Sequence, residues 1–256
     1  MNIDIINSFK QKLARGSAVY GPFMKSLDAS FMEITGYAGF DFAILDMEHG
    51  PAGFAEMQNL IRGATFGGLA SFVRTSDSSE SAISRALDLG ACGVQVPQIQ
   101  SAEEARAVIR AAKFHPAGER GVCRFVRAAK YSSMPRNTYF AQANEALVIL
   151  QVEGQKGLDE LDDILSVEGF DILFIGPYDL SQSLGMPGEI AHPKVIAAIS
   201  DITERARKVG VVTGVFADTF EAVKRWKAAG IQYISYSTDV GIYTDACKLI
   251  LQNIRE

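Results

Sequence analysis

Short apolar runs of strand length recur along this chain, most of them introduced by a glycine and separated by stretches whose apolar residues fall at helical spacing. The runs follow Gly16 (SAVY), Gly39 (FDFAIL), Gly68 (LASFV), Gly90 (ACGVQV), Gly169 (FDILFI), Gly210 (VVTGVF) and Gly230 (IQYISY); an eighth, Leu147 to Val152, lacks the glycine. Helical patterns lie between them over Phe31 to Thr35, Ala55 to Ala64, Ala82 to Leu89, Glu103 to Ala112, Gly157 to Val167, Val195 to Lys208 and Phe220 to Ala229. A glycine in the left-handed conformation would stop each helix before the next strand begins. Eight strands alternating with helices over 256 residues is the pattern of a (β/α)8 barrel, with the whole chain, 1–256, as one domain. A doubly wound open sheet is the alternative, but no strand is followed by a G-x-G-x-x-G or Walker turn. Met1 to Leu13 reads as an extra helix closing the bottom of the barrel, and Thr244 to Ile254 as a last helix.

Lys113 to Glu145 interrupts the alternation with two prolines, two glycines and several basic and aromatic residues. A loop this long inside a compact domain is usually functional or disordered. Its aromatic content favours an ordered segment, either a lid or a subunit contact.

Composition narrows the function classes. With 48% hydrophobic and 21% charged residues the chain can bury a sizeable core. A formal net charge of -5 without a basic block argues against nucleic-acid and acidic-membrane partners. Cys92, Cys123 and Cys247 are odd in number and sit at no metal-ligand spacing, which fits a reducing compartment. The N-terminus carries Asp4 and amphipathic spacing rather than a signal peptide's apolar centre, and no apolar run reaches the ~20 residues of a membrane span, so a cytoplasmic protein is expected.

In a barrel the chemistry belongs at the C-terminal ends of the strands. Strand two ends in ILDMEHGP, which supplies Asp46, Glu48 and His49; strand three ends in Arg74, and strand four in Gln95 and Pro97. Strand five supplies Gln151 and Glu153, strand six GPYDLSQSLG with Tyr178 and Asp179, and strands seven and eight end near Phe216 and Ser237. Each residue has a structural reading. Asp179 could be the N-cap of its helical turn, Glu153 a solvated loop residue, His49 a structural histidine, and Arg74 the partner of Asp46 or Glu48. His115 and His192 precede prolines and are read as structural. A His, an Arg and several acids gathered at one rim exceed what an apolar barrel end needs for folding. Two carboxylates from adjacent strand ends, Glu153 and Asp179, suit a divalent cation that keeps substrate or water in its other positions.

The segments ILDMEHGP, FVRTSDSSESAISRALDLGACGVQVPQIQSAEEARAVI, PAGERGV, LQVEGQKGLDELDDILSVEGFDILFIGPYDLSQSLG and HPKV together resemble the HpcH/HpaI family of class II, metal-dependent pyruvate aldolases, over nearly the whole chain. The resemblance implies a (β/α)8 barrel in a homo-hexamer, a trimer of dimers exchanging a C-terminal helix. It implies Mg²⁺, Mn²⁺ or Co²⁺ on Glu153 and Asp179, His49 as base, Arg74 as oxyanion stabiliser, Asp88 as the acid paired with His49, and Gln151 as a substrate contact. Two stretches depart from the family pattern: VEGQKG after Gln151, where many relatives carry an IET-type run, and FVRAAKYSSMPRNTYF within the insertion. Both bear on the aldehyde partner more than on the pyruvate half.

The expected reaction is reversible cleavage of a 4-hydroxy-2-oxo acid to pyruvate and an aldehyde. Backbone N–H groups of Tyr178 and Asp179, at a helix start, could hold the carboxylate. No lysine ends a predicted strand, since Lys156 lies beyond Glu153, which disfavours a Schiff-base aldolase. A carbon–carbon lyase of CoA esters, of the citrate lyase beta type, and a non-catalytic metabolite-binding oligomer are the alternatives. Asp88 poses a geometric problem. It ends a helix before its strand, on the bottom of its own barrel, whereas His49 follows a strand on the top, so pairing between them requires a neighbouring subunit.

Overall fold

The computed structural model describes residues 2–256. Eight parallel strands close a barrel in sequence order, β1 (Val19–Met24), β2 (Phe42–Asp46), β3 (Ala70–Arg74), β4 (Gly93–Val96), β5 (Leu147–Val152), β6 (Ile172–Ile175), β7 (Val212–Ala217) and β8 (Tyr233–Thr238), with β8 pairing back onto β1. The seven glycines expected to end helices all have positive φ, between 70 and 103°. Each relieves the steric conflict that a Cβ would meet where the chain turns into its strand.

The helices cover the outside: α1 (Ile3–Ala14), α2 (Ala29–Tyr37), α3 (Phe54–Phe66), α4 (Glu80–Asp88), α5 (Ala102–Ala112), α6 (Arg136–Ala143), α7 (Gln155–Asp159), α8 (Leu161–Leu165), α9 (Pro177–Ser183), α10 (Pro193–Lys208), α11 (Phe220–Ala228) and α12 (Asp239–Arg255). Alternation along the strands sorts the core into two layers. Residues such as Val94, Val148, Leu150 and Leu173 pack outward against the helices, while Phe42, Ile44, Phe72, Ile149, Phe174 and Tyr233 fill the barrel. α1 closes the bottom as expected: its Ile6, Phe9 and Leu13 are buried, and the Phe9 ring meets Phe72 edge-on at 5.1 Å.

Three boundaries differ from the sequence pattern. The helix expected over Gly157 to Val167 is broken at Glu160 into α7 and α8, and the last helix starts at Asp239, directly after β8. Most consequential is β1, which runs on to Met24 through Gly21 and Pro22. A Cβ at Gly21 would lie 2.0 Å from the Phe42 carbonyl oxygen, so only glycine permits this approach of β1 to β2. The register against β8 shifts between Gly21 and Phe23, which accommodates the missing N–H of Pro22.

The 113–145 insertion is ordered and stays at the bottom. Phe114, Tyr139 and Phe140 form an aromatic cluster of their own, and the buried Lys113 ammonium donates to the carbonyls of Asn144 and Ala146. It therefore cannot serve as a lid over the opposite mouth of its own barrel. Val122, Phe125 and Tyr131 on it are exposed. No helix among the described residues is long and apolar enough to cross a membrane.

Candidate active site

At the C-terminal mouth of the barrel lies a cavity of ≈ 320 Å³ lined by Phe23, Lys25, His49, Arg74, Gln151, Glu153, Phe174, Gly176, Pro177, Tyr178, Asp179, Phe216 and Thr238. Six of the seven residues singled out from the sequence, all but Asp88, converge there. A larger hollow of ≈ 880 Å³ sits at the bottom between α1 and the insertion, lined by residues such as Asn2, Thr65, Arg127 and Gln142. None of the strand-end groups reaches it, and strand-end chemistry rather than size identifies the mouth as the site.

Asp46 organises one wall. As the last residue of β2 it is fully buried, and it accepts Arg74 Nε at 2.8 Å and Nη2 at 2.7 Å, a bidentate contact made possible by the Asp46–Arg74 register of β2 and β3. Its Oδ1 also accepts the backbone N–H groups of Glu48 (3.1 Å) and His49 (3.2 Å), fixing the loop that carries both side chains. Lys25 Nζ donates to its other oxygen. Burial alone would raise the Asp46 carboxyl, but the Arg74 hydrogen bonds and charge, with Lys25, outweigh it and hold the pKa at about 2. The Arg74 guanidinium also lies 4.6 Å over the Phe23 ring, and its Nη1 is 3.0 Å from Glu48 Oε2.

Glu153 anchors the other wall. Its Oε2 accepts Gln151 Nε2 at 2.6 Å, Gln151 Oε1 accepts Gln95 Nε2 at 2.6 Å, and its Oε1 accepts the backbone N–H of Gln98 at 3.1 Å. Gln98 has φ 58°, a left-handed conformation that aims this N–H into the site, and its side chain donates to Glu48 at 3.1 Å. A Cβ at Gly176 would stand 2.2 Å from Glu153 Oε2, so glycine there leaves room for the carboxylate. Burial foremost, with the negative charges of Asp179 and Glu48, pushes the Glu153 pKa up to about 7 despite the Gln151 bond.

A desolvated carboxylate beside further acids, with amide donors but no cation of its own, has the electrostatics of a cation site. Glu153 and Asp179 fit a divalent ion whose remaining positions go to substrate and water, the arrangement expected of hard oxygen-ligated metals. No group of three or more His, Cys, Asp and Glu poised for a metal occurs among the described residues. Asp179 is the third residue of α9, inside its first turn, and not the N-cap, a position held by Gly176.

The remaining residues divide between the mouth and the far face. Gln151 lines the cavity, but its amide is engaged on both sides by Gln95 and Glu153, so it holds Glu153 in place as well as facing the pocket. His49 is exposed at the rim, 3.9 Å from Glu48 Oε2, and no hydrogen bond to its ring is present among the described residues. Tyr178 packs on Phe216 and donates its hydroxyl to Asp218 at 2.8 Å; burial and this bond push its pKa up to about 12. Asp88 ends α4 at the bottom of the barrel and pairs with Arg120 at 2.5 Å. A five-residue strand at ~3.3 Å per residue puts about 16 Å between the two faces, so Asp88 and His49 of one chain do not meet.

Two residues of this site escaped the sequence reading. Gln98 could be placed only once the loop after β4 was known. Lys25 corrects a specific expectation: a lysine does stand at a strand end, because β1 runs past Gly21 and Pro22 to Met24 and Lys25 follows directly. Its ammonium is bound to Asp46, which leaves no free amine poised for a carbonyl, so a Schiff base remains disfavoured on different grounds.

A sequence profile described as HpcH/HpaI aldolase/citrate lyase matches residues 20–246. A 2-keto-3-deoxy-L-rhamnonate aldolase of Escherichia coli strain K12 is 35% identical over 248 residues, covering 96% of this chain and 92% of the relative. The crystal structure of an HpcH/HpaI aldolase/citrate lyase family protein from Burkholderia cenocepacia J2315 superposes with a TM-score of 0.92 at 33% identity, covering 98% of this chain and 100% of the other. An HpcH/HpaI aldolase from Desulfitobacterium hafniense DCB-2 superposes with a TM-score of 0.88 at 32% identity, over 96% of each chain.

Proposed function

This chain belongs to the HpcH/HpaI aldolase/citrate lyase family, and on that premise we propose that it is a class II pyruvate aldolase that reversibly cleaves a 4-hydroxy-2-oxo acid to pyruvate and an aldehyde. The observation that carries this reading is the meeting of Glu153, Asp179, Arg74 and His49 in one cavity of small-metabolite size. The whole chain is the catalytic domain.

Cleavage breaks the C3–C4 bond. The C4 hydroxyl loses its proton to His49, directly or through a water, and the O–H electron pair becomes the aldehyde carbonyl. The C3–C4 pair moves into the pyruvate enolate, whose oxygen faces the fixed charge of Arg74. Protonation at C3 then gives pyruvate. Glu153 and Asp179 would hold a divalent cation, Mg²⁺, Mn²⁺ or Co²⁺, which would supply Lewis acidity to enolate formation. The N–H groups of Tyr178 and Asp179 in the first turn of α9 offer donors to the carboxylate, and Gln151 keeps Glu153 aligned for the cation while contacting the substrate.

Among the described residues no hydrogen bond orients the His49 ring, and Asp88 of a neighbouring subunit fills that role in a homo-hexamer built as a trimer of dimers. Exposed Leu249, Ile250, Leu251 and Ile254 on α12, with Val122 and Phe125 on the insertion, are apolar surface that such an assembly would cover, α12 by exchange between subunits. Three free thiols accord with a cytoplasmic enzyme.

The aldolase descriptions of relatives at 32 and 35% identity favour an enzyme over a metabolite-binding oligomer. A CoA-ester lyase is the second reading, since the family description includes citrate lyase. The ≈ 320 Å³ cavity suits a short oxo acid better than a thioester carrying a nucleotide. A pyruvate-release screen over 4-hydroxy-2-oxo acids with each of the three metals tests the proposal, and cleavage of CoA esters alone would overturn it.

Glu153 makes the metal claim testable without turnover. Its carboxyl binds a proton more tightly folded (about 7) than at its ordinary value of 4.5. The metal-free protein therefore loses stability as pH rises from the ordinary value to about 7, by roughly 3 kcal/mol. A cation on Glu153 removes that penalty. The rise in Tm on adding Mn²⁺ should accordingly be larger at pH 8 than at pH 5.5; an equal shift at both, or none, would contradict a cation on Glu153.

A further inference from the structure

Arg74 faces more negative charge than it can offset. Asp46 accepts two of its N–H groups, and Glu48 Oε2 lies 3.0 Å from its third nitrogen. Arg74, Asp46 and Glu48 together sum to one negative charge on the wall where an enolate oxygen must be stabilised. An arginine so engaged is well positioned but electrostatically quenched.

Lys25 alters that sum. It is the one lysine among the residues lining the cavity, and its Nζ sits on Asp46 Oδ2, the oxygen that also accepts Arg74 Nη2. The cluster of Lys25, Arg74, Asp46 and Glu48 is then neutral, with the pKa of Asp46 held at about 2 by its cations. β1, which delivers the ammonium, lies across the barrel from β5, which carries Glu153 toward the mouth. The Gly21–Pro22 irregularity in β1 precedes this delivery, shifting the register just before Phe23 and Lys25.

We propose that Lys25 is a positioning residue of the aldol reaction, its ammonium offsetting Asp46 so that the Arg74 guanidinium keeps its field for the enolate oxygen. The role rests on the pyruvate aldolase reading above. Lys25 acts through Asp46 and Arg74 and forms no bond to the substrate.

The test uses oxalate, a planar analogue of the pyruvate enolate, titrated into the Mn²⁺-loaded protein, beside pyruvate release from a 4-hydroxy-2-oxo acid. Lys25→Met should weaken oxalate and lower kcat by about ten-fold or more, the scale of one unscreened charge in a partly buried site. Adding Glu48→Gln to Lys25→Met restores the charge sum and should recover most of both losses. A double variant as weak as Lys25→Met, or weaker, would overturn the proposal, because neither a Schiff-base amine nor a purely structural contact is replaced by removing a nearby acid. Should Lys25→Met not fold, Glu48→Gln in the otherwise unchanged enzyme is the converse test: it should tighten oxalate, and no tightening overturns the proposal. Failure of the parent enzyme to release pyruvate from any acid would count against the aldolase reading itself and is read before any variant.

Discussion

Arg74→Ala is expected to lower kcat about 10²-fold with a smaller change in KM, as for the loss of one oxyanion donor. The expectation follows from where Arg74 sits. It is the last residue of β3, only 8% exposed, clamped by Asp46 and lying over Phe23, so its charge is fixed before substrate arrives. Such preorganisation acts on charge that develops during the reaction more than on the ground state. Stability must be read alongside. The Asp46 carboxyl, lowered from 3.8 to about 2, contributes about 2 kcal/mol that is present above its unfolded pKa and lost as pH falls through its folded value. Arg74→Ala removes the larger part of that and leaves a buried carboxylate with Lys25 as its remaining cation, so kcat should be referred to the folded fraction from a melt at assay pH. A change confined to KM would instead make Arg74 a residue of substrate binding.

His49→Ala and Asp88→Asn should each be nearly inactive alone, since loss of a general base costs ~10²–10⁴-fold, and mixing the two proteins should bring activity back. Within one chain the pair is separated by the length of the barrel, with Asp88 held at the bottom by Arg120. In a 1:1 mixed oligomer about a quarter of the sites would receive an intact His49 from one chain and an intact Asp88 from its neighbour, so activity should rise toward that fraction. The alternative is that Asp88 serves only its own chain, fixing the insertion through Arg120. In that case mixed oligomers, verified by mass spectrometry of tagged chains, would show no recovery.

What the sequence revealed about this protein follows the range of the interactions involved. Helix ends are local, and the seven glycines that precede strands all adopt the expected positive φ. Barrel closure and the strand-end placement of Glu153, Asp179, Arg74 and His49 followed from alternation and order, because in a (β/α)8 barrel every strand end points to the same mouth. The apolar run SAVY covers only the start of β1, which continues through Gly21 and Pro22 to Met24; the close approach to Phe42 and the register shift against β8 show how these two residues stay within a strand. That one misplaced boundary concealed Lys25. The pairing of Asp46 with Arg74 was among the readings of the rim, but its hold on the Glu48–His49 loop depends on cross-strand register, as does the Gln95–Gln151–Glu153 chain. Neither has a signature along the chain.

The most direct measurement of the central claim is pyruvate release from a cleavable 4-hydroxy-2-oxo acid before and after excess chelator, followed by return of Mg²⁺, Mn²⁺ or Co²⁺. Both proposed ligands are carboxylates, and the lysine at the mouth is committed to Asp46, so no amine in the cavity is free to replace the cation by forming a Schiff base. The account predicts loss of activity in chelator and its recovery with at least one of the three metals; full activity in excess chelator would contradict it.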